Sequence, residues 1–159
     1  MRKYKDLNLP AVDLRLQEDN GTTRVFDPLR RKWVVLTPEE WVRQHFIVWL
    51  MTSLHYPQSL IANEIGIEVN GMKKRCDTVV FRKEGTPLLI VEYKAPEVQI
   101  TQAVFDQIVG YNMLLKAEYL IVSNGMNHYC CKMDYKRNSY HFIPQIPDYL
   151  MLSIAASEN

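Results

Sequence analysis

The chain has 159 residues, of which 47% are hydrophobic and 23% are charged, and its net charge is +1. This length predicts a single globular domain with a core of useful size. The balanced charge excludes nucleic-acid binding by overall basicity, so such binding would depend on local clusters. The three cysteines are too few, and odd in number, for a disulfide framework, no CxxC pair is present, and no apolar run approaches the ~20 residues of a membrane helix. Because the N-terminus is also polar, without the pattern of a signal peptide, we expect a cytoplasmic protein.

The chain begins with a predicted β-ribbon at 1–36. Residues 13–17 alternate weakly and predict a short strand, and Asp-Asn-Gly follows as a turn signal. Residues 22–26 and 32–36 predict two further strands, separated by the turn-like Asp27-Pro28. This ribbon is expected to precede the main fold.

The first helix has a clear start signal. Thr37 is the expected N-cap and Pro38 occupies the first helical position, where its missing N–H costs nothing. Glu40 stands three residues after the cap, as a capping box requires. The helix is expected to end near Leu54, before Pro57.

Three strands are then predicted as an antiparallel meander. The first alternates strictly between apolar and polar residues, and Asn-Gly after it is a hairpin signal. Gly and Pro in the polar stretch 82–87 indicate the second hairpin connection. The predicted strands are Glu64–Val69, Arg75–Arg82 and Leu88–Lys94.

A turn centred between Glu84 and Gly85 would set the register of the second hairpin. The predicted antiparallel partners are Phe81 with Leu88, Val79 with Ile90, and Asp77 with Glu92. Two carboxylates would then lie directly opposite each other, with Cβ atoms roughly 5 Å apart. Like charges in that arrangement are destabilising unless something neutralises them.

Asp77 and Glu92 therefore predict a site for a hard cation such as Mg²⁺. Lys94 is two residues beyond Glu92 and hence on the same face of the strand, where it could orient or deprotonate a water molecule. The alternative is a solvated face, which is the usual setting of Glu and Lys at this spacing. Residues 88–91 are apolar on both faces, which is typical of a covered central strand and favours the site.

The second half of the chain predicts a helix at 101–116 and a strand at 119–122. The strand–helix–strand order implies a right-handed crossover, which makes this strand parallel to the one before it. Gln107 and Tyr111 are neighbours on one face of the helix. Two final strands are predicted at 128–133 and 140–143.

These motifs resemble the PD-(D/E)xK nucleases, and the wider context resembles the N-terminal nuclease domain of type I restriction enzyme R subunits. The resemblance covers roughly residues 30 to 145, and Cys76 stands where the motif's name has Pro. The matching pieces are Pro38-Glu39-Glu40-Trp41-Val42-Arg43-Gln44, Asp77, Glu92-Tyr93-Lys94-Ala95-Pro96, Gln107-x-x-x-Tyr111 and Ser123-Asn124-Gly125.

The resemblance implies an α/β fold of the mixed-sheet α+β kind. Its restriction-endonuclease-like core would contain the three-stranded antiparallel meander and a βαβ crossover, with helices on the faces of the sheet. Together with the chain's own patterns this predicts one domain, 1–159. We divide it into the ribbon at 1–36, the core at 37–145 and a tail at 146–159, in which a short helix is expected at 148–154.

The activity implied by the resemblance is Mg²⁺-dependent cleavage of DNA phosphodiester bonds, with Mn²⁺ as an alternative cofactor. Asp77, Glu92 and the backbone carbonyl of Tyr93 would hold the metal, and Lys94 would position or activate the attacking water. In the resembled family, Gln107 and Tyr111 lie beside the catalytic residues. Among the chain's own patterns, this pair could equally mark the polar boundary of an apolar helix.

Two further carboxylates are candidates for the site. Glu64 lies where the resembled family often has an additional acidic residue, although a solvated strand face explains it equally well. Glu40 belongs to a helix that can reach the active site in this fold, but its capping-box role is the favoured interpretation. Four basic clusters are each more typical of a solvated loop than of a DNA-contacting surface. They are residues 2–5, 30–32, 73–75 and 136–137.

The chain contains no G-x-x-x-x-G-K-[ST] phosphate loop, so no ATP site is predicted. The expected partners are DNA and a separate translocase or specificity subunit, with a homodimer left open and no membrane. One alternative is a catalytically silent module that keeps the fold to bind nucleic acid or protein. Others are a structural or oligomerisation protein, and a nuclease of RNA or branched DNA.

Overall fold

A computed structural model of the chain describes residues 4–152. Its main elements within the described residues are two long α-helices and nine strands. In chain order these are β1 (Leu16–Asp19), β2 (Thr22–Asp27), β3 (Lys32–Val35), α1 (Pro38–Thr52), β4 (Ile61–Val69), β5 (Met72–Phe81), β6 (Pro87–Tyr93), α2 (Gln102–Leu115), β7 (Tyr119–Ser123), β8 (His128–Asp134) and β9 (Ser139–Ile143).

The predicted ribbon is a separate antiparallel sheet in the order β1-β2-β3. Its first strand begins at Leu16, three residues later than predicted, because its ladder with β2 pairs Leu16 with Val25 and closes at Asp19 and Thr22. Asp27, at the end of β2, is fully buried.

Helix α1 begins where its start signal predicts. The side chain of Thr37 accepts a hydrogen bond from Glu40 N at 3.0 Å, and Pro38 is the first helical residue. The reciprocal half of the predicted capping box is wrong, because Thr37 N donates to Val35 O at 3.1 Å instead. The carboxylate of Glu40 is therefore available to other partners.

The main sheet has six strands in the order β4-β5-β6-β7-β8-β9. All neighbouring pairs are antiparallel except β6 and β7, which are parallel and are connected through α2. The predicted mixed sheet, with a three-stranded meander and a βαβ crossover, is confirmed. The crossover brings the end of β6 beside the end of β7.

The register of the second hairpin follows the prediction over most of its length. The observed partners are Thr78 with Val91, Val79 with Ile90, Val80 with Leu89 and Phe81 with Pro87. The predicted pairing of Phe81 with Leu88 is wrong, since a bulge at the end of β5 shifts the register by one residue. The connection is also longer than a two-residue turn, because Arg82 N donates to Thr86 O at 2.8 Å.

The two helices cover opposite faces of the main sheet. On the α1 face, Phe46 and Leu50 pack against Leu89, Val91 and Ile121. The side chains of the α2 face alternate with these along the same strands, as β geometry requires. The buried members of the α2 face include Val79, Ile90, Phe105, Val109, Leu120 and Val122.

Residues 149–152 are helical, in agreement with the start of the predicted tail helix, and the remainder of that prediction lies outside the described residues. Within residues 4–152, no helix has the length and apolar character needed to cross a membrane.

Candidate active site where the ladder between β5 and β6 ends

The candidate site begins where the ladder between β5 and β6 stops. The last paired residues are Thr78 and Val91, and Asp77 and Glu92 come directly next. Asp77 Oδ2 accepts a hydrogen bond from Tyr93 N at 2.9 Å. This bond uses a backbone donor of β6 to fix the orientation of the carboxylate, whose side chain is 27% exposed.

Glu92 is the buried member of the carboxylate pair, with 9% exposure. Burial and then the neighbouring charge of Asp77 raise the pKa of Glu92 to about 8, and a hydrogen bond between the two carboxyl groups adds to the rise. The charges of Lys74 and Lys94 oppose it. The ionised form of Glu92 is therefore disfavoured, chiefly by burial and then by the charge of Asp77.

Lys94 follows the last residue of β6. Its backbone N donates to Ser123 O at 2.9 Å, which continues the pairing with β7 by one residue. The side chain is half-buried, and its positive charge acts on Glu92. Among the residues that the structure describes, its Nζ takes part in no ion pair.

Glu64 lies beside Asp77 on the neighbouring strand, between the paired residues Asn63–Thr78 and Ile65–Cys76. Its φ of +54° is unusual for a residue other than glycine.

The strands β4 and β5 both change the faces of the sheet that their side chains occupy at the level of Glu64 and Asp77. Asn63 and Ile65 would share one face in a regular strand. Instead, Asn63 bonds to Thr78 on the α1 side, whereas Ile65 packs on the α2 side. The change of face at Glu64 explains why the predicted strict alternation fails at Glu64, the first residue of the predicted strand.

The carboxylate of Glu64 is held by two arginines. Glu64 Oε1 accepts a hydrogen bond from Arg43 Nη2, and Glu64 Oε2 accepts one from Arg75 Nε at 2.7 Å. Partial burial disfavours the charged form, but these two cations outweigh it and hold the pKa of Glu64 below its usual range. Glu64 is therefore an ionised group already engaged by protein cations.

Arg43 connects helix α1 to three carboxylates. Its guanidinium is 3.2 Å from Glu40 Oε1 and 3.8 Å from Asp77 Oδ1, and it also donates to Glu64. It lies over the ring of Tyr93, 5.6 Å from the centroid. The residue is 4% exposed, and its buried Nε lacks a hydrogen-bond partner within residues 4–152.

Glu40 is buried at the centre of a second set of contacts. Its Oε1 accepts from Arg30 Nη2 at 2.6 Å, and its Oε2 accepts from Gln44 Nε2 at 2.9 Å. Arg30 also pairs with Asp27. The capping interpretation of Glu40 is thus incomplete, because its side chain joins the ribbon to Arg43.

A second polar chain runs from the ribbon to β6. Asp27 Oδ2 accepts from Asn63 Nδ2 at 3.0 Å, and Asn63 Oδ1 accepts from Thr78 Oγ1 at 2.7 Å. Thr78 Oγ1 in turn accepts from the Tyr93 hydroxyl at 2.8 Å. All four residues are buried, so this chain fixes the backbone on which Asp77 and Glu92 stand.

The two predicted helix residues differ in what they contact. Tyr111 is 44% exposed, and the Nζ of Lys74 lies 4.7 Å from the centroid of its ring. The same Nζ is 3.7 Å from Glu92 Oε1. Gln107 is exposed one turn earlier, and its side chain makes no hydrogen bond within the described part of the chain.

One protein-family model matches most of the chain. The family model for the N terminus of the type I restriction enzyme R protein (HSDR_N) matches residues 38–147. The chain belongs to this family. The matched region contains every predicted site residue from Glu40 to Tyr111, whereas the ribbon lies before it.

Other comparisons add less to this membership of the R-protein N-terminal family. No curated protein matches the chain. Among solved structures, a fragment of a putative HsdR subunit of a type I restriction enzyme from Vibrio vulnificus YJ016 is similar, with 16% identity and a TM-score of 0.49. That match covers 74% of this chain and 25% of the fragment, so the chain spans a quarter of that relative.

Two basic residues at the site of this R-protein N-terminal domain were not predicted as site residues. Lys74 and Arg30 belong to clusters assigned to solvated loops, and that assignment is wrong for both, because their cations meet Glu92 and Glu40. A longer predicted strand would have included Lys74, because β5 begins at Met72 and not at Arg75.

The donor set suits a hard cation by its chemistry. Asp77 and Glu92 offer carboxylate oxygens, and a divalent cation bound there would offset the repulsion from Asp77 that, after burial, raises the pKa of Glu92. No group of three or more His, Cys, Asp and Glu residues within 4–152 is arranged as a complete set of metal ligands. A metal held by Asp77 and Glu92 would therefore need backbone oxygen or water as further ligands.

Proposed function

We propose that this R-protein N-terminal domain is a metal-dependent deoxyribonuclease module that hydrolyses phosphodiester bonds. The observation that carries the proposal is the adjacent pair Asp77 and Glu92, directly beyond the last ladder pair of β5 and β6, with Lys94 beside it. Burial and the charge of Asp77 disfavour the ionised form of Glu92, and such perturbed groups are enriched at functional sites.

Each residue has a proposed role. Asp77 and Glu92, with the backbone carbonyl of Tyr93, would hold Mg²⁺ or Mn²⁺. A divalent cation bound there would supply Lewis-acid stabilisation of phosphate charge and would lower the pKa of a bound water. Lys94 Nζ, which has no ion pair within residues 4–152, would orient the attacking water by hydrogen bonding.

The remaining predicted residues are proposed to support the site. Glu64 and Glu40 hold Arg43 on either side, and Arg43 keeps a positive charge at Asp77. Tyr111 contacts Lys74, which approaches Glu92. Gln107 is exposed on the same helix and is proposed to contact DNA directly.

The substrate and partners follow from the family. Restriction acts on DNA, so DNA is the proposed substrate, and the proposed partners are the other type I subunits, including a translocase. The proposed cellular location is the cytoplasm, where such a DNA substrate is accessible.

A silent binding module is the second candidate. Its specific support is that protein cations already approach both carboxylates: Arg43 lies 3.8 Å from Asp77, and Lys74 lies 3.7 Å from Glu92. Such pairs partly neutralise the carboxylates without a metal. In that case the fold would serve to contact nucleic acid or protein.

The deciding experiment compares cleavage of plasmid DNA by wild type, Glu92→Gln and Lys94→Met, with Mg²⁺ or Mn²⁺. We expect metal-dependent nicking by wild type and a loss of at least about 100-fold in both variants. Glu97→Gln is the matched control, because Glu97 is exposed just beyond the site and should keep full activity. Cleavage by Glu92→Gln at the wild-type rate would refute the proposal.

Calorimetric titration of the same metals into wild type and Asp77→Asn separates the two candidates. Binding in wild type that is lost in Asp77→Asn supports the carboxylate metal site. Absence of metal binding by wild type, even at millimolar metal, would favour the silent binding module.

A further inference from the structure

Lys74 and Glu92 meet beyond the paired part of two neighbouring strands, β5 and β6. Lys74 lies near the start of β5, and Glu92 near the end of β6. Their charged atoms are 3.7 Å apart, and the side chain of Lys74 is 33% exposed. An ammonium at this distance partly neutralises the carboxylate without burying itself.

Helix α2 supplies the third member of the contact. The ring of Tyr111 lies 4.7 Å from Lys74 Nζ, within the range of a cation–π interaction. A lysine side chain has several rotatable bonds and would otherwise leave a partly exposed ion pair readily. The tyrosine ring and the carboxylate together restrict the ammonium to the side of the site that faces α2.

We propose that Lys74 is an exchangeable counter-ion of Glu92, and that Tyr111 is the residue that positions it. In the metal-free protein the ammonium neutralises part of the charge of Glu92. A divalent cation arriving at the carboxylates meets this positive charge, so Lys74 weakens metal binding and must withdraw from Glu92 when the metal binds. The inference rests on the proposed function, because it assumes that Asp77 and Glu92 hold the metal.

The direction in which loss of the Lys74 charge changes metal affinity does not depend on whether Glu92 is protonated before the metal binds. Removing a nearby positive charge favours every cation that binds the carboxylate. A divalent ion gains about twice as much Coulomb energy from this removal as a competing proton does. Loss of the Lys74 charge is therefore expected to tighten metal binding at either protonation state.

The first experiment measures Mn²⁺ and Mg²⁺ affinity of the full chain by calorimetry. We expect Lys74→Met to bind at least about fivefold more tightly than wild type, and Lys74→Arg to stay within about twofold, since it keeps the charge. Lys73→Met is the matched control, because Lys73 is exposed on the same strand and its removal changes net charge equally. Tighter binding in Lys73→Met as well would overturn the specific role of Lys74.

The role of Tyr111 is tested by a matched pair of variants. Tyr111→Phe keeps the aromatic face and should bind metal like wild type, whereas Tyr111→Leu loses it and should shift affinity in the direction of Lys74→Met. Because Tyr111 is 44% exposed, we expect both variants to fold like wild type. Equal affinities in the two variants would overturn the positioning role.

A metal-free measurement gives an independent test. The rate at which an amine-acylating reagent modifies Lys74 is followed by peptide mass spectrometry. We expect a severalfold faster reaction in Glu92→Gln and in Tyr111→Leu, and an unchanged rate in Tyr111→Phe. Unchanged rates in both of the first two variants would overturn the proposed contact in solution.

The outcomes separate this inference from the function on which it rests. If wild type binds metal, Asp77→Asn does not, and Lys74→Met binds equally or more weakly, the carboxylate site stands and the counter-ion role fails. If neither wild type nor Lys74→Met binds metal, both fail. Metal binding by Lys74→Met alone would support the counter-ion role strongly.

Discussion

Glu92 illustrates at the level of a single residue how the fold changes ordinary chemistry. A glutamate on a solvated strand ionises freely, but burial and Asp77 raise the pKa of this one to about 8. Its neighbour Glu64 has a lowered pKa, because burial is outweighed by Arg43 and Arg75. Two glutamates on adjacent parts of one sheet therefore have opposite pKa shifts, because Glu92 is more deeply buried and faces Asp77, whereas Glu64 accepts hydrogen bonds from two arginines.

The raised pKa of Glu92 predicts a specific pH dependence of stability. Glu92 has a higher pKa in the folded than in the unfolded chain, so its contribution to stability is fully present below about pH 4.5 and is lost as pH rises through about 8. Relative to wild type, Glu92→Gln should therefore gain stability as pH rises from 5 to 9. Urea unfolding at a series of pH values, with a chelator present, measures the difference.

The variant Glu92→Gln is compared with wild type because other groups in both proteins also titrate as the pH rises. Burial lowers the pKa values of His45 and His128, and both chains share that effect. Glu97→Gln is again the control and should show a flat difference from wild type. A flat difference for Glu92→Gln would mean that its carboxyl group is not held as described.

At the level of elements, α1 and the meander are joined by charge as well as by apolar packing. Phe46 and Leu50 pack on the sheet, while Arg43 reaches the carboxylates of β4 and β5 from the same helix. The left-handed Glu64 turns its strand so that Asn63 and Ile65 serve opposite faces. Non-glycine residues in that conformation cluster at functional sites, where surrounding contacts hold them.

Arg43 and Arg75 offer a matched test of this junction, since both contact Glu64. Arg43→Met removes a buried cation and leaves three carboxylates without it, which should cost about 3–5 kcal/mol of unfolding free energy. Arg75→Met removes an exposed cation and should cost less than about 1 kcal/mol. Denaturant unfolding at neutral pH gives both values, and equal costs would contradict a structural role for the junction.

At the level of the whole molecule, the N-terminal ribbon is part of the structure that supports the site. The family match begins at residue 38, after the ribbon, yet Asp27 is fully buried against Asn63 and Arg30 reaches Glu40. The N-terminal segment is also attached at the far end of the site. Asn8 N donates to Gly125 O at 2.8 Å, and a Cβ on Gly125 would come within 2.7 Å of Leu7.

We therefore expect the family-matched region to depend on the ribbon for stability. Asp27→Ala should lower the unfolding free energy by about 3 kcal/mol, because it leaves Asn63 and Arg30 without their buried partner. Asp19→Ala, on exposed β1, should change it by less than about 0.5 kcal/mol. A chain starting at residue 37 should be less stable still, and a wild-type melting temperature for that chain would contradict the expectation.

Much of the fold was determined by local sequence. Alternation and turn residues located the strands, the cap and Pro38 located the start of α1, and the strand–helix–strand order gave the parallel pair of β6 and β7. Asp77 and Glu92 could be predicted as neighbours because register and a hairpin turn are local properties. The end of that hairpin was mispredicted, because the bulge beside Phe81 has no distinctive residue to announce it.

Only the tertiary structure decided which charges surround the carboxylates. Glu40 had a sufficient local explanation as a cap, yet its side chain meets Arg30, which lies in the ribbon, as well as Arg43. Lys74 looked like part of a basic run until the sheet and α2 placed it between Glu92 and Tyr111. Local patterns depend on steric and hydrogen-bonding preferences of neighbouring residues, whereas the charge balance of a buried site depends on side chains that packing brings together from separate elements.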